Sequence, residues 1–379
     1  MPEMNNVRVL IVDDSPSVCR LLKSWLQAAS YIEVVGIANN GTDAVKMVAE
    51  LKPDVVTLDL EMPGMKGLDA LFAIMCEHPL PVVVISGVSR KSAALTLQAL
   101  DMGAIDFILK YTPGMTTDPE KLQQEIITKV RVAARAKTRL TTSYHAYDPM
   151  ISEQALKSSA WPAVSSPAEI ASRLSVRNQP QHSGQQPERV IVIGASTGGP
   201  IAVRELISEL PGDFPAAVVI VQHLPPAFTQ LFAAQLNGQV ELTVREAVNG
   251  ESLQSGTALV APGGSHLLLL ENNLISLDQG AEHHGYQPSI DITMKSAARI
   301  WKEQVSGVLL SGMGNDGRDG MQAIHYNGGE TYAQEGSTCA IDSMPQSAIE
   351  AGLVDFIGSP SEIGLMLRRQ IAAASHASA

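Results

Sequence analysis

Short, unbroken Val/Ile/Leu runs return along this chain, each followed by an amphipathic stretch, and that rhythm leaves few folds open. In a first block, VRVLIV, EVVGIA, DVVTLDL, PVVVIS and DFILK alternate with stretches of helical spacing, from Ser17–Ala29 to a helix near Pro119–Lys137. Runs that are apolar at every position suit strands covered on both faces, and parallel strands need helical crossovers. Five such units predict an α/β fold of the flavodoxin-like kind, a five-stranded parallel sheet between helices. A second block resumes at RVIVIGAS and continues through AAVVIVQH, SGVLLSGMG and ETYAQE, with helical stretches between them. It predicts a second doubly wound, mostly parallel α/β domain. Within it, TALVAPGG, HLLLLENN and LISLDQG are spaced like short antiparallel strands, and MPQSAIEAG opens a final pair of helices ending near Ile371.

Between the blocks the pattern fails. Residues 138–187 are rich in Ser, Gln, Ala and Pro, and a stretch of that length is far beyond an ordinary connection of roughly 2–6 residues. It reads as an interdomain linker with short helical pieces such as PAEIASRL. The expected division is therefore 1–137, a linker at 138–187, 188–371, and a disordered tail at 372–379. A chain of 379 residues accommodates two domains.

Charge narrows the function classes. The net charge is −12, but up to Pro187 there are 18 Lys+Arg against 19 Asp+Glu, and from Glu188 onward 9 against 20. A nucleic-acid reader needs a basic face for phosphates, and the second half carries an excess of acid instead. The densest basic stretch, Lys129, Arg131, Arg135, Lys137 and Arg139, reads as a solvated helix face. No apolar run approaches the roughly 18 residues of a membrane helix. The opening MPEMNNVRVLIVDD is acidic where a signal peptide is basic, and three scattered cysteines form neither a disulfide framework nor a zinc site. The expectation is a cytoplasmic protein with no membrane insertion and no nucleic-acid partner.

Ligands of open α/β sheets bind at the C-terminal ends of strands. In the first block those ends carry Asp13 and Asp14, Asp59, Ser86 and Lys110. Three carboxylates at one edge repel unless a cation joins them, and hard oxygen ligands suit Mg²⁺. A carboxylate is also a nucleophile toward phosphorus. The set resembles the response-regulator receiver domains, over Val7 to about Lys137. That resemblance implies that Asp59 is phosphorylated by a histidine kinase. It also implies that Asp14, Asp59 and the Glu61 carbonyl bind Mg²⁺ with Asp13 close by, and that Ser86 and Lys110 read out the phosphate. Receivers usually have proline directly after the lysine; here Lys110 is followed by Tyr111-Thr112-Pro113.

The second block opens its chemistry at Gly194-Ala195-Ser196-Thr197-Gly198-Gly199-Pro200, where a strand turns into a helix through small residues. This matches G-x-S-x-G, the sharp turn that exposes a serine hydroxyl, although such a turn also suits an anion or no ligand at all. A serine nucleophile needs a base, and the base an orienter. His223 ends the next strand, and Asp316 lies in SGMGNDGRDG after a third. Taken singly, the histidine is a common structural residue and the aspartate a common helix cap. Asp319 is a rival orienter, His266 a candidate cleft residue, His283-His284 a surface pair, and Cys339 a packing residue.

GASTGGP, VQHLP, APGG-x-H and LLSGMGNDG together resemble the CheB family, chemotaxis protein-glutamate methylesterases in which a receiver precedes the catalytic domain. The resemblance implies Ser196 as nucleophile, His223 as acid/base, Asp316 as orienter and the Met313 N–H in an oxyanion hole. Thr197 N–H, at the helix start, is a second candidate donor. The substrate implied is a glutamate γ-methyl ester on the cytoplasmic domain of a chemoreceptor, with deamidation of glutamine as a further activity and adaptation in chemotaxis as the role. No cofactor is implied for ester hydrolysis. Phosphorylation is expected to regulate the enzyme by uncovering its cleft. A receiver-controlled scaffold without catalysis is the alternative. Family members often carry His-Arg before Pro-Ser-x-Asp, where this chain has Tyr286-Gln287 before Pro288-Ser289-Ile290-Asp291.

Overall fold

In the computed structural model, residues 6–110, 118–143 and 186–377 are described, with backbone alone for 137–143 and 372–377. The chain divides into two compact units, Met1–Trp161 and Pro162–Ala379.

In the first unit the five apolar runs form β1 (Val7–Val12), β2 (Ile32–Ala38), β3 (Val55–Asp59), β4 (Val82–Ser86) and β5 (Asp106–Leu109). They make one parallel sheet in the order β2-β1-β3-β4-β5. Helices α1 (Pro16–Gln27), α2 (Gly41–Leu51), α3 (Gly67–Glu77), α4 (Arg90–Asp101) and α5 (Pro119–Ser143) follow the strands in turn. Strands β3 and β4 are buried along their whole length because helices lie on both faces. Local chemistry starts the helices: the Asn40 side chain accepts from the Asp43 N–H, and Ser89 Oγ accepts from the Ser92 N–H.

The basic stretch of α5 departs from expectation at Lys129. It is half-buried rather than solvated. Its Nζ donates to the Phe107 carbonyl at 2.6 Å and sits 3.3 Å from Asp106 and 3.0 Å from Glu125. Burial alone would lower its pKa, but the two carboxylates outweigh that and raise it. Arg131 and Arg135 are exposed as expected. Helix α5 also runs to Ser143, taking in residues 138–143 of the expected linker. Residues 144–185 of that linker, with PAEIASRL, lie outside the described residues, as do Tyr111-Thr112-Pro113.

The second unit contains β6 (Val190–Ala195), α6 (Gly199–Ile207), β7 (Ala217–Gln222), α7 (Pro226–Gln239), β8 (Thr243–Glu246), β9 (Thr257–Val260), β10 (His266–Leu269) and β11 (Ile275–Asp278). It continues with α8 (Ile290–Trp301), β12 (Val305–Leu309), α9 (Arg318–Tyr326), β13 (Glu330–Gln334), α10 (Ser343–Glu350), β14 (Phe356–Gly358) and α11 (Pro360–Ala377). Seven strands form a parallel sheet in the order β14-β13-β12-β6-β7-β9-β8, while β10 and β11 pair antiparallel by themselves. TALVAPGG therefore supplies a parallel strand, and only its two successors make the expected antiparallel pair. Helix α11 continues to Ala377, so residues 372–377, expected to lack order, are helical.

The first strand of this sheet, β6, lies between β7 and β12. The chain leaves β6 in one direction and later returns on its other side, which puts a topological switch point at the C-terminal end of β6. Below it, Val192, Val219, Leu309, Ile290 and Met294 belong to one buried cluster. Each such side chain contributes about 1.5–3 kcal/mol by leaving water, so the loops above stand on a rigid base.

Candidate active site

Ser196 follows β6, His223 follows β7, and Asp316 lies in the loop from β12 to α9; these are three neighbouring strands of the sheet. The structure brings all three side chains together. His223 Nδ1 is 3.1 Å from Ser196 Oγ, and His223 Nε2 is 2.9 Å from Asp316 Oδ2. A carboxylate accepts, so Nε2 carries the proton and Nδ1 presents a lone pair to the serine hydroxyl. This reverses the ring nitrogens of the trypsin-like arrangement, but the direction of proton relay is the same.

The glycines of the serine turn have separate reasons. A Cβ on Gly194 would lie 2.4 Å from Ile290 Cγ2, so α8 could not pack against the strand end. Gly198 has φ +74°, a left-handed conformation that costs a side-chain-bearing residue about 1 kcal/mol or more. Between them the Ser196 N–H donates to the Ser311 carbonyl at 3.0 Å, and Gln222 Nε2 donates to the Ser196 carbonyl at 2.9 Å. The backbone of the serine is thus clamped from both neighbouring strands while its side chain stays half-exposed.

Asp316 is buried and saturated with donors. Its Oδ1 accepts from Ser289 Oγ at 3.0 Å and the Asp291 N–H at 3.0 Å, and its Oδ2 from the Ile290 N–H at 2.8 Å besides His223. Ile290 and Asp291 open α8, so the carboxylate occupies the positive end of that helix. Burial pushes the carboxyl pKa up, but the His223 hydrogen bond and charge and the two N–H groups outweigh it, and the pKa is lowered. Asp291 returns the arrangement: its Oδ1 accepts from the Gly317 and Gly320 N–H groups at 3.0 and 2.7 Å, at the start of α9. Each helix start is capped by the aspartate of the other.

Met313 is half-buried in the same loop. The Gly312 N–H donates to the Ile341 carbonyl and the Gly314 N–H to Ser343 Oγ, whereas the Met313 N–H between them has no acceptor among the described residues. Thr197 is buried, and its carbonyl accepts from Ser311 Oγ at 2.8 Å. The other sequence candidates fall elsewhere. Asp319 pairs with Lys295 at 3.4 Å, away from the imidazole's partners. His266 is buried beneath the site: its Nδ1 accepts from the Ser289 N–H at 3.1 Å and its Nε2 donates to the Ala281 carbonyl at 3.0 Å. Cys339 is buried with its thiol against backbone carbonyls. His283, Asp291 and Asp316 have ligand atoms within 4.8 Å of one another, yet both Asp316 oxygens and Asp291 Oδ1 are already held by N–H or O–H donors.

Sequence reasoning missed the roles of Ser289, Asp291 and Tyr286. The signal for the first two was present in Pro-Ser-Ile-Asp, a serine cap with an acid in the first turn. Nothing local announced that Tyr286 would stack on His223, with ring centroids 4.0 Å apart and planes at 10°.

In the first unit the expected cluster also assembles. One oxygen each of Asp13, Asp14 and Asp59 lies within 4.8 Å of the others. Lys110 Nζ donates to Asp59 Oδ2 at 2.6 Å and lies 3.1 Å from Asp13 Oδ2. The second contact is an ion pair without hydrogen-bond alignment, so Asp13 Oδ2 is a buried oxygen lacking a donor. Burial raises the Asp13 pKa against the Ser15 N–H and Lys110, with Asp59 adding to the rise. A buried orphan oxygen among three carboxylates fits a hard divalent cation. The Glu61 N–H donates to Asp59 Oδ1 at 3.1 Å, and the Glu61 side chain accepts from Ser92 Oγ and Lys91 Nζ at 2.8 and 3.0 Å. Ser86 Oγ donates to the Gly87 carbonyl at 3.1 Å and accepts from Thr96 Oγ1 at 2.6 Å. No hydrogen bond between Ser86 and Asp59 occurs among the described residues.

Two parallel-sheet units, one with an acidic strand-end cluster beside a lysine and one with serine, histidine and aspartate gathered at a switch point, define a response regulator with an α/β output domain. Residues 9–126 match the response regulator receiver domain and residues 191–367 the CheB methylesterase family. A protein-glutamate methylesterase/protein-glutamine glutaminase of Symbiobacterium thermophilum is 39% identical over 91% of this chain and 92% of its own. One of the same description from Oceanobacillus iheyensis is 37% identical over 97% of this chain and 100% of its own. The crystal structure of the Thermotoga maritima CheB methylesterase catalytic domain is 38% identical, covering 48% of this chain and 98% of that one, with a TM-score of 0.47. The chain belongs to the CheB methylesterase family. Among the described residues no helix is long and apolar enough to cross a membrane.

Proposed function

We propose that this chain is a phosphorylation-regulated protein-glutamate methylesterase acting on chemoreceptors, with deamidation of receptor glutamines as a second activity of the same site. The observation that carries the reading is the continuous relay Ser196 Oγ–His223–Asp316, at 3.1 and 2.9 Å. Ser196 Oγ attacks the γ-ester carbonyl while its proton passes to His223 Nδ1. The charge on the carbonyl oxygen is met by the Met313 N–H, with the Thr197 N–H as second donor. The lowered Asp316 pKa keeps that carboxylate charged beside the imidazolium. His223 then returns the proton to the leaving oxygen, the C–O bond breaks, and methanol departs. Water, deprotonated by His223, hydrolyses the acyl-serine and leaves a glutamate carboxylate. With a glutamine side chain, ammonia leaves in place of methanol.

Regulation falls to the first unit, with Asp59 accepting a phosphoryl group from a histidine kinase. Asp13, Asp14, Asp59 and the Glu61 carbonyl would hold Mg²⁺, which offsets charge during phosphoryl transfer. Lys110 already reaches Asp59 and is placed to pair with the phosphoryl oxygens. Ser86 must release the Gly87 carbonyl to donate to them, so readout requires its hydroxyl to turn.

The direct test is methanol release from a receptor fragment carrying methyl-labelled glutamate esters. The native protein should release label, and Ser196→Ala should fold and release none. Receptor binding with no release by the native protein would leave a scaffold in place of an enzyme.

A further inference from the structure

Resting on the methylesterase reading, we infer that Tyr286 is a positioning residue that fixes the plane of the catalytic imidazole by stacking on it, and that a two-residue turn exists to deliver it. Residues His283 to Tyr286 form that turn. The His283 N–H donates to the Tyr286 carbonyl at 3.1 Å, and the Tyr286 N–H donates back to the His283 carbonyl at 3.0 Å. The central residues, His284 and Gly285, both have positive φ, +52° and +83°, as in a type I′ turn. Such a turn is stiff, and here it is anchored beside the relay. His283 Nδ1 lies 3.3 Å from Ser289 Oγ, the hydroxyl that donates to Asp316. At its other end, the Gly264 N–H donates to the Gln287 carbonyl at 3.1 Å.

A relay histidine has two bonds in its ring plane, one to serine and one to aspartate, and neither resists tilting of that plane. A ring at 4.0 Å and 10° does, because any tilt of the imidazole meets the phenol face. The same π-face attracts the imidazolium that forms when Ser196 loses its proton. The phenol hydroxyl lies 3.5 Å from the Met313 carbonyl, at the limit of a hydrogen bond, so the ring also spans from the base to the loop of the oxyanion donor. The face, not the hydroxyl, is the working part.

The test compares Tyr286→Phe, which keeps the face, with Tyr286→Leu and Tyr286→Gln, which remove it. Two ring-less variants suit a half-exposed position, and thermal melts of each identify any that does not fold. Two readouts are needed. One is methanol release from the methyl-labelled receptor fragment, resolved into kcat and KM. The other is the rate at which a small fluorophosphonate labels Ser196, forming an O–P bond as fluoride leaves and His223 takes the proton. That probe is too small to report receptor contacts.

We expect Tyr286→Phe within about threefold of native in both readouts. The ring-less variants should lose about tenfold or more in kcat and in labelling rate, with KM within about twofold, because a small misplacement of a catalytic group is costly. Native-like labelling by the folded ring-less variant would overturn the inference. So would a loss in Tyr286→Phe equal to that in Tyr286→Leu, or a loss confined to KM. A native protein that labels at Ser196 but releases no methanol would sink the methylesterase reading, while the labelling comparison would still judge the stack.

Discussion

Asp316 works at the scale of a single side chain. Its Oδ2 accepts from the imidazole, and its two oxygens together close the N-terminus of α8. Asp316→Asn keeps the shape and removes the charge, so turnover should fall by up to about 10⁴-fold, as in other triads. Methanol release by a variant with native circular dichroism checks this. The lowered pKa has a second consequence. A carboxyl depressed on folding adds stability above its unfolded value of about 3.9, and that stability is lost as pH falls through the folded value. The gap in urea midpoint between native and Asp316→Asn should therefore narrow below about pH 4; a gap independent of pH would contradict the assignment. The serine and histidine were legible in sequence because each directly follows a strand, and the aspartate because it lies in a glycine-rich loop after one. Ser289 and Asp291 were legible only as a helix start, not as partners of Asp316 and of α9, because those partners are more than twenty residues away.

Among the elements, the start of α8 matters most for the site. Ser289 caps it by accepting from the Ile292 N–H and gives its own proton to Asp316. Ser289→Ala should cost about 1 kcal/mol as a lost cap, with a Tm drop of a few degrees. It should also lower turnover, and Ser289→Thr should restore part of both losses. Gly198→Ala is expected to be worse. Its φ is +74° and its Cβ would meet the Ala340 Cβ at 2.5 Å, so the Ser196 turn must shift; slower labelling by a serine-reactive probe would report it. The strands that sequence reading overlooked, β8 and β14, are the two edges of the sheet. Their segments, TVRE and FIG, are too short and too mixed to stand out from a loop, and only pairing with β9 and β13 makes them strands.

At the scale of the whole molecule, two α/β units share one chain, and the expected link between their chemistries is phosphorylation of Asp59. A small phosphodonor with Mg²⁺ should raise methanol release by the native protein, and Asp59→Asn should abolish that rise. Chelating Mg²⁺ should remove the stimulation without stopping unstimulated hydrolysis, since the relay proposed to hydrolyse the ester is made of side chains and N–H groups. Equal stimulation of Asp59→Asn would place the phosphoacceptor elsewhere. By itself the sequence determined the two parallel sheets, their strand ends and the residue types gathered there, because buried strands and tight turns write local patterns. The tertiary structure alone decided the strand order that makes β12, β6 and β7 neighbours, the nitrogen of His223 that faces the serine, the reciprocal caps of Asp291 and Asp316, and the Tyr286 stack. Those depend on distances between residues remote along the chain, and no local pattern encodes them.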